Sequence, residues 1–256
     1  MLTADLLTCG DLQTLVTAGP ELGGPPVAID DVRFPPETRV VAPRDVPRRS
    51  PRTAEGRIAL IHAVAHIELS AVLLAIDHAH RFSADLPADY ATDWLRVAGE
   101  EAHHFRLLDA RLHDLGSAYG ALPVHDGQWA AAVRTADDAL ARMALVPRVN
   151  EARGIDVTPG IRDALLAAGD VETAEVLDVI LRDEVGHVAV GDRWFRHLCG
   201  PRDPEVTFRA LLAEHGVRVR PPLNYAGRIA GGFSAEELDA LVGAGSLRAG
   251  PSDIVI

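Results

Sequence analysis

Hydrophobic and small side chains recur three or four positions apart along two stretches in the first half of the chain. Residues 55–82 and 90–115 each carry such a stripe. This spacing lines one face of an α-helix with apolar side chains. Ser50 followed by Pro51 is typical of a helix start, because proline fits the first helical position. We therefore predict two long helices joined by the turn 83–90.

A second pair of helical stretches occupies the middle of the chain. The pattern predicts a third helix over about 128–154, in which Pro147 causes a kink or a break because it lacks a backbone N–H. The motif VTPG at 157–160 predicts a loop, and the interruption at 155–170 predicts a broader turn than the one between the first two helices. A fourth long helix is predicted over about 171–199.

The two ends of the chain lack a sustained helical period. Residues 18–56 are rich in Pro, Gly and Arg, which predicts an extended arm. The tail contains two weaker helical pieces around the irregular stretch 216–227, and we expect it to wrap the helices. The predicted fold is therefore all-α, a four-helix bundle with an extended N-terminal arm and a C-terminal wrap of short helices. Its boundaries are 1–54 for an N-terminal arm packed on the bundle, 55–199 for the bundle and 200–256 for the C-terminal wrap, in a single domain overall.

Composition narrows the classes of function. The chain has 256 residues, of which 48% are hydrophobic and only 5% aromatic, and it has two cysteines, neither in a CxxC pair. Zinc ribbons, rubredoxin-type iron sites and thioredoxin-like redox chemistry are thereby excluded. The net charge of −12 disfavours nucleic acid as a partner, although the arginine-rich stretch 44–52 leaves a local basic patch open.

Neither a membrane span nor a signal peptide is predicted. No apolar run approaches the roughly 20 residues that a membrane helix needs. The N-terminus, MLTADLLTCG, lacks the basic start and long apolar stretch of a signal peptide. We therefore expect a cytoplasmic protein.

Each of the four predicted helices places a carboxylate on its apolar stripe, and two of them add a histidine one turn later. A single Glu-x-x-His match carries little weight in a chain with 11 histidines. Four buried, ionised carboxylates would together be strongly destabilising without compensation, because each costs several kcal/mol to bury. Two divalent cations between them would supply that compensation. The six candidate ligands are Glu68, Glu101, His104, Glu151, Glu184 and His187.

The spacing of these residues repeats. Glu68 and Glu101 are 101 − 68 = 33 residues apart, and Glu151 and Glu184 are 184 − 151 = 33 residues apart. The midpoints of the two intervals fall at 84–85 and 167–168, where the turns are predicted. An antiparallel hairpin brings residues equidistant from its turn to one level. The pattern therefore matches the ferritin-like di-iron template, with one Glu and one Glu-x-x-His from each helical hairpin.

Symmetry between the hairpins suggests a role for each ligand. Glu68 and His104 would hold one iron, Glu151 and His187 would hold the other, and Glu101 and Glu184 would bridge both. The bridging pair would be the catalytic carboxylates. Manganese or a mixed manganese–iron pair is also compatible with these ligands.

Other polar residues also lie near the stripes. We predict that Glu100 and Asp183, each adjacent to a bridging glutamate, orient the ligand imidazole of the opposite hairpin, and the alternative is a solvated helix edge. A register that uses Glu100 with the histidine at position 103 is disfavoured because both leave the apolar stripe. His62 and His66 flank Glu68, and we favour surface or hydrogen-bonded core histidines over channel residues.

Several stretches together resemble an uncharacterised bacterial ferritin-like family, domain of unknown function 455. The resemblance spans about residues 55–243. Its wider relatives include rubrerythrins, carboxylate-bridged di-iron oxygenases and the tRNA-isopentenyladenosine hydroxylase, so it implies a ferritin-like fold without specifying a reaction. The stretches that carry it are HAVAHIELSAVLLAIDHAHRF, EEAHHFRLLDARLHDLG, VNEARGIDVTPG, RDEVGHVAVGDRWF, RPPLN and GGFSAEEL.

The leading hypothesis is a non-haem di-iron oxidase or oxygenase that activates dioxygen to hydroxylate or desaturate a small organic substrate. It implies an external electron donor, because the chain has no CxxC pair for a rubredoxin-like one. No membrane partner is expected, and a homo-oligomer is compatible with it.

Three alternatives stay open. The first is a ferroxidase or peroxidase-type iron-handling protein, and the second is a non-catalytic bundle that metal stabilises. The third is an RNA-modifying hydroxylase, which one basic face formed by Arg218, Arg220 and the arm arginines would favour.

Overall fold

The computed structural model describes Phe34, residues 38–47 and residues 49–244. Regular structure in these residues is helical, and the described part of the chain contains no strand beyond an isolated bridge between Val40 and Val124. The all-α prediction is confirmed. Most of the predicted N-terminal arm, including its cysteine at position 9, lies outside the described residues.

Nine α-helices account for the described fold. A π-helix at Val146–Glu151 and 3-10 helices at Pro43–Asp45 and Ser83–Asp85 complete the regular elements. The α-helices are α1 (Ala54–Arg81), α2 (Ala88–Asp114), α3 (Gly127–Arg134), α4 (Ala139–Leu145), α5 (Ala152–Ala167), α6 (Val171–Cys199), α7 (Pro204–Glu214), α8 (Tyr225–Ala230) and α9 (Ala235–Ala244).

The chain divides into two compact units. The first consists of the described part of residues 1–133 together with residues 162–179. Its core is the antiparallel pair α1 and α2. The second consists of residues 134–161 and the described part of 180–256, and it contains α4, the π-helix and the three C-terminal helices.

Helix α1 begins later than predicted. Its N-cap is Thr53, whose Oγ1 accepts a hydrogen bond from the Gly56 N–H at 3.1 Å, so the predicted start at Ser50 and Pro51 is wrong. Thr53 caps the helix because its hydroxyl satisfies an N–H that the first turn leaves unpaired. By length and composition α1 could span a membrane, contrary to the expectation from sequence. However, 78% of its most apolar window is buried inside the protein, so α1 is a core helix.

The turns between the long helices fall where the spacing of the glutamates predicts them. Residues 82–87 separate α1 from α2, and residues 168–170 separate α5 from α6. Gly169 adopts a φ of 81°, a conformation that favours glycine, and it closes this short turn. The prediction of a broader second turn is wrong, since only three residues separate the two helices.

Helix α5 runs through the stretch 157–160 that was predicted to be a loop. Pro159 lies inside the helix and cannot donate to the carbonyl of Ile155, four residues earlier. The side-chain amide of Asn224 donates to that carbonyl instead, at 3.2 Å. A residue 69 positions away therefore satisfies the acceptor that proline leaves open, and the helix continues.

The predicted third helix, 128–154, is divided into several elements. Helix α3 ends at Arg134, and Asp138 caps the start of α4 by accepting from the Ala141 N–H at 2.9 Å. Pro147 marks a change of winding, as predicted, but the change is a π-helix rather than a kink. The ring of Pro147 lies where a Cβ of residue 191 would be, and Gly191 leaves room for it.

The tail contains one more helix than predicted. Within the stretch 216–227, which was predicted to be irregular, α8 begins at Tyr225. Its N-cap is Asn224, whose Oδ1 accepts from the Gly227 N–H at 3.0 Å. Asn224 therefore caps one helix with its oxygen and supports another with its nitrogen.

Candidate metal centre

The first unit brings three of the predicted ligands together. Helix α1 supplies Glu68, and α2 supplies Glu101 and His104, which lie one turn apart on the same face. One ligand atom from each of the three lies within 4.8 Å of the others. His104 Nδ1 is 3.1 Å from Glu68 Oε2 and 3.4 Å from Glu101 Oε2. The two carboxylates and the imidazole thus converge on one small volume.

This cluster lies in the buried core. Glu101 and His104 are fully buried, and Glu68 is 4% exposed. Val72, one turn beyond Glu68, and Leu108, one turn beyond His104, are also fully buried. Charges act strongly on one another in such surroundings, because little water screens them.

The electrostatics of His104 reflect this arrangement. Burial lowers the pKa of His104, but hydrogen bonds and charges from Glu101 and Glu68 outweigh it and raise the pKa to about 11. The metal-free protein therefore holds a proton on this imidazole at neutral pH. A metal ligand must be unprotonated, so a cation that binds here displaces that proton.

The second unit contains the other three predicted ligands. Glu151 ends the π-helix and is 6% exposed, while Glu184 and His187 lie one turn apart on α6 and are 7% and 0% exposed. His187 Nδ1 is 3.8 Å from Glu184 Oε1. As in the first unit, the imidazole turns Nδ1 toward the glutamate three residues earlier.

Glycine at position 154 leaves open space beside one of these carboxylates. A Cβ built on Gly154 would lie 4.0 Å from Glu184 Oε2, and no other atom outside its immediate helical surroundings lies within 4 Å of it.

The donor atoms in each unit fit a hard or borderline divalent cation. Carboxylate oxygens and imidazole nitrogens suit iron, manganese and zinc, whereas thiolate-preferring metals lack a ligand among these six residues. The buried cluster of Glu68, Glu101 and His104 could hold a metal ion.

Glu100 and Asp183 occupy half-buried positions beside the ligands. Glu100 accepts two hydrogen bonds from Arg96, one turn earlier on α2, both at 2.8 Å. Asp183 accepts from the adjacent Arg182 at 3.0 Å. The neighbouring His103 is exposed, in contrast to the buried His104. The predicted contacts of Glu100 and Asp183 with ligand imidazoles stay predictions.

His62 is a hydrogen-bonded core histidine, as favoured from the sequence. Its Nε2 accepts from the backbone N–H groups of Gly120 at 3.0 Å and Leu122 at 3.4 Å. That nitrogen must therefore be unprotonated. Burial lowers the pKa of His62 to about 4, with Arg49 adding to the effect and Asp109 opposing it.

His66 has the same anchoring role. Its Nε2 lies 3.1 Å from the carbonyl oxygen of His125, which can only accept, so Nε2 carries the hydrogen. In the neutral ring Nδ1 then accepts from the Tyr119 hydroxyl at 2.8 Å. The Tyr119 ring also stacks on both imidazoles.

Hydrogen bonds of His62 and His66 therefore hold the stretch 116–127 on α1. Tyr119 could not be predicted from the sequence because no local pattern links position 119 to positions 62 and 66. The burial of Arg148 in the second unit was not predicted either. The one signal in the sequence for a buried Arg148 was its position beside the apolar stripe of the third predicted helix.

Comparison with known proteins places the chain in a family. The model of the family described as "Protein of unknown function (DUF455)" matches residues 11–239. A Haemophilus influenzae protein described as "Uncharacterized protein" is 42% identical over 215 residues, which cover 80% of this chain and 75% of that protein. No solved structure matches.

Proposed function

This chain belongs to the DUF455 family, and on that premise we propose that it is a non-haem di-iron oxidase or oxygenase. It would use dioxygen to hydroxylate or desaturate a small organic substrate, with electrons from an external donor. The ferritin-like four-helix bundle predicted from the sequence is part of this proposal.

The observation that carries the proposal is the buried cluster in the first unit. Glu68, Glu101 and His104 come from two helices and place ligand atoms within 4.8 Å of one another in the buried core. Burying ionised carboxylates is unfavourable unless a positive charge offsets it. A divalent cation provides that charge and replaces the proton on the imidazole.

The second unit supports a second ion. Glu151, Glu184 and His187 repeat the same residue types at the same 33-residue spacing, and all three are buried. Glu68 and His104 would hold one ion, and Glu151 and His187 would hold the other. Glu101 and Glu184 would be shared by both ions.

The protein's own residues would set the conditions for the reaction. When bound, two ferrous ions supply electrons that reduce dioxygen. The carboxylates hold those ions in a flexible oxygen-rich set that accommodates changes of charge. The apolar side chains along α1 and α2 exclude bulk water, which would otherwise weaken the electrostatic interactions inside the site.

The first experiment measures metal content. The protein is reconstituted anaerobically with Fe(II), its iron is counted by elemental analysis, and its absorption spectrum is followed as oxygen is admitted. We expect about two irons per chain and an oxygen-dependent visible band. Less than one metal per chain would contradict the proposal.

A matched variant separates specific from adventitious iron. Glu175 is an exposed glutamate on α6. Glu175→Ala should bind two irons like wild type, whereas Glu184→Ala on the same helix should not. Continued uptake well beyond two irons per chain, with oxygen consumption that needs no organic substrate, would indicate the iron-handling alternative instead.

A further inference from the structure

The second unit contains a fully buried arginine three residues before Glu151. Arg148 lies in the π-helix Val146–Glu151 and has no exposed surface. Burial lowers the pKa of Arg148, and the charges of Glu237 and Asp192 oppose that shift. Arginine stays charged inside proteins, so a full positive charge is held in this core.

Three aromatic rings surround its guanidinium. The guanidinium carbon is 4.5 Å from the ring centre of Phe195, 4.2 Å from that of Phe208 and 4.4 Å from that of Phe233. These rings belong to α6, α7 and the segment before α9. Each presents an electron-rich face to the cation, which is attractive within about 6 Å.

Two carboxylates complete the surroundings of Arg148. Its Nη2 donates to Glu237 Oε1 on α9 at 2.7 Å, and its Nε lies 3.1 Å from Asp192 Oδ1 on α6. Asp192 also accepts from Arg196 at 2.7 Å. One side chain thus ties the π-helix to α6, α7 and α9 at once.

The ordinary α-helical winding is the alternative to a π-helix. A π-turn contains an extra residue relative to an α-turn and occurs mostly in short pieces at functional sites. Relaxation of this segment to α-helical winding would shift the register by one residue and rotate Glu151 by about 100° around the helix axis. The Arg148 guanidinium is rigid and contacts five side chains, so it resists that shift. The Pro147 ring, which packs closely on Gly191, holds the same segment at a second point.

We propose that Arg148 is the positioning residue for Glu151. Held by the C-terminal helices, it keeps the π-helix in the register that directs Glu151 to the metal it shares with His187. This inference rests on the proposed di-metal function. It also gives the C-terminal segment a definite part in forming the site.

The two proposed metal ions would then differ in their dependence on Arg148. Glu68, Glu101 and His104 lie in the first unit on α1 and α2, and none of them is carried by the π-helix. A change at Arg148 should therefore weaken binding of the second ion and spare the first.

The test compares Arg148→Lys with Arg142→Lys by anaerobic Co(II) titration. Lysine keeps the charge but lacks the planar group that stacks on aromatic rings and pairs with two carboxylates. Arg142 is the matched control, since it is also fully buried in the second unit and its Nε donates to Thr135 Oγ1 at 2.7 Å. Both variants should melt at lower temperature than wild type.

The metal stoichiometry distinguishes positioning from general destabilisation. In folded Arg148→Lys, we expect the second Co(II) to bind about 10–100-fold more weakly, as is typical when the support of a ligand is lost. The first Co(II) should bind as in wild type, and Arg142→Lys should bind both normally. Two tight Co(II) ions in Arg148→Lys, or equal loss in both variants, would overturn the inference.

Three outcomes separate the inference from the proposed function. If Arg148→Lys does not fold, Glu237→Gln weakens the same contact more gently and should reduce affinity for the second Co(II) alone; unchanged affinity would count against the inference. Wild-type protein that binds no Co(II) would overturn the proposed function together with this inference. Wild type with two ions and Arg148→Lys with two ions would overturn the inference alone.

Discussion

At the scale of single residues, the candidate centre is a set of buried acids and bases whose charges depend on one another. His104 holds its proton because Glu101 and Glu68 surround it, although burial alone would remove that proton. His62 is equally buried but faces backbone N–H groups and is neutral. Neighbouring groups, rather than burial alone, decide which of the two histidines is charged.

Replacing a shared carboxylate should empty the whole centre. In the proposed centre Glu101 and Glu184 would each be shared by both ions, so we expect Glu101→Ala and Glu184→Ala to lose both metals. Elemental analysis after anaerobic Fe(II) reconstitution measures this, with Glu175→Ala as the exposed control. Retention of two metals per chain by either variant would show that the bridging assignment is wrong.

Glu100 provides a subtler test. Glu100→Gln should leave metal bound but change the rate of oxygen consumption, because the predicted contact with a ligand imidazole would lose its charge. Arg96→Gln is the control, since it removes the surface ion pair and leaves the Glu100 carboxylate in place. If both variants consume oxygen at the wild-type rate, Glu100 is only a surface residue.

His62 should make stability sensitive to acid. Its pKa is about 4 in the folded protein and near 6.5 when unfolded, because burial disfavours the charged ring. Between these values the unfolded chain binds more protons, so stability falls as pH drops from about 6.5 to 4. Thermal melts across this range should show a shallower pH dependence for His62→Asn than for wild type.

The control for this prediction is the exposed His113. His113→Asn should melt with the pH dependence of wild type. An asparagine at 62 can still accept a backbone hydrogen bond through its amide oxygen, so the variant is expected to fold. Identical pH dependence in all three proteins would contradict the role assigned to His62.

At the scale of elements, the sequence predicts α1, α2 and α6 well because each has a continuous apolar stripe, although α1 is capped by Thr53 rather than by Ser50. Helix α6 occupies the predicted residues 171–199. The region around α5 was predicted poorly. There the helix passes Pro159 with help from Asn224, and a π-helix precedes it. Neither feature leaves a periodic signal in the sequence.

Two glycines on packed helices should respond oppositely to alanine. A Cβ at Gly191 would overlap the Pro147 ring, and we expect Gly191→Ala to destabilise by about 1–3 kcal/mol. A Cβ at Gly154 would make only an ordinary contact, so Gly154→Ala should stabilise the helix by roughly 0.5–1 kcal/mol. Denaturant unfolding of the metal-free proteins measures both. A stabilising Gly191→Ala would contradict the close approach of Pro147.

At the scale of the whole molecule, metal should couple to folding. A ligand that binds only the folded state stabilises it by about 2.7 kcal/mol at one hundred times its dissociation constant. We therefore expect the melting temperature to rise with added Mn(II) or anaerobic Fe(II), and a chelator to reverse the rise. Glu101→Ala should melt at the same temperature with and without metal. An unchanged wild-type melting temperature would count against a built metal centre.

The sequence by itself determined the helical class, the positions of the long helices and the set of candidate ligands. These follow from local rules, since a 3.6-residue period places Glu101 and His104 on one buried face and repeats the arrangement at Glu184 and His187. Only the tertiary structure decided which backbone and side-chain groups are paired with residues far away in the sequence.

Asn224 hydrogen-bonds the carbonyl that Pro159 leaves open in α5, His62 accepts hydrogen bonds from a stretch nearly sixty residues away, and Arg148 contacts α6, α7 and α9. Such contacts join residues that no periodicity relates. Only the folded chain brings them within hydrogen-bonding or van der Waals distance.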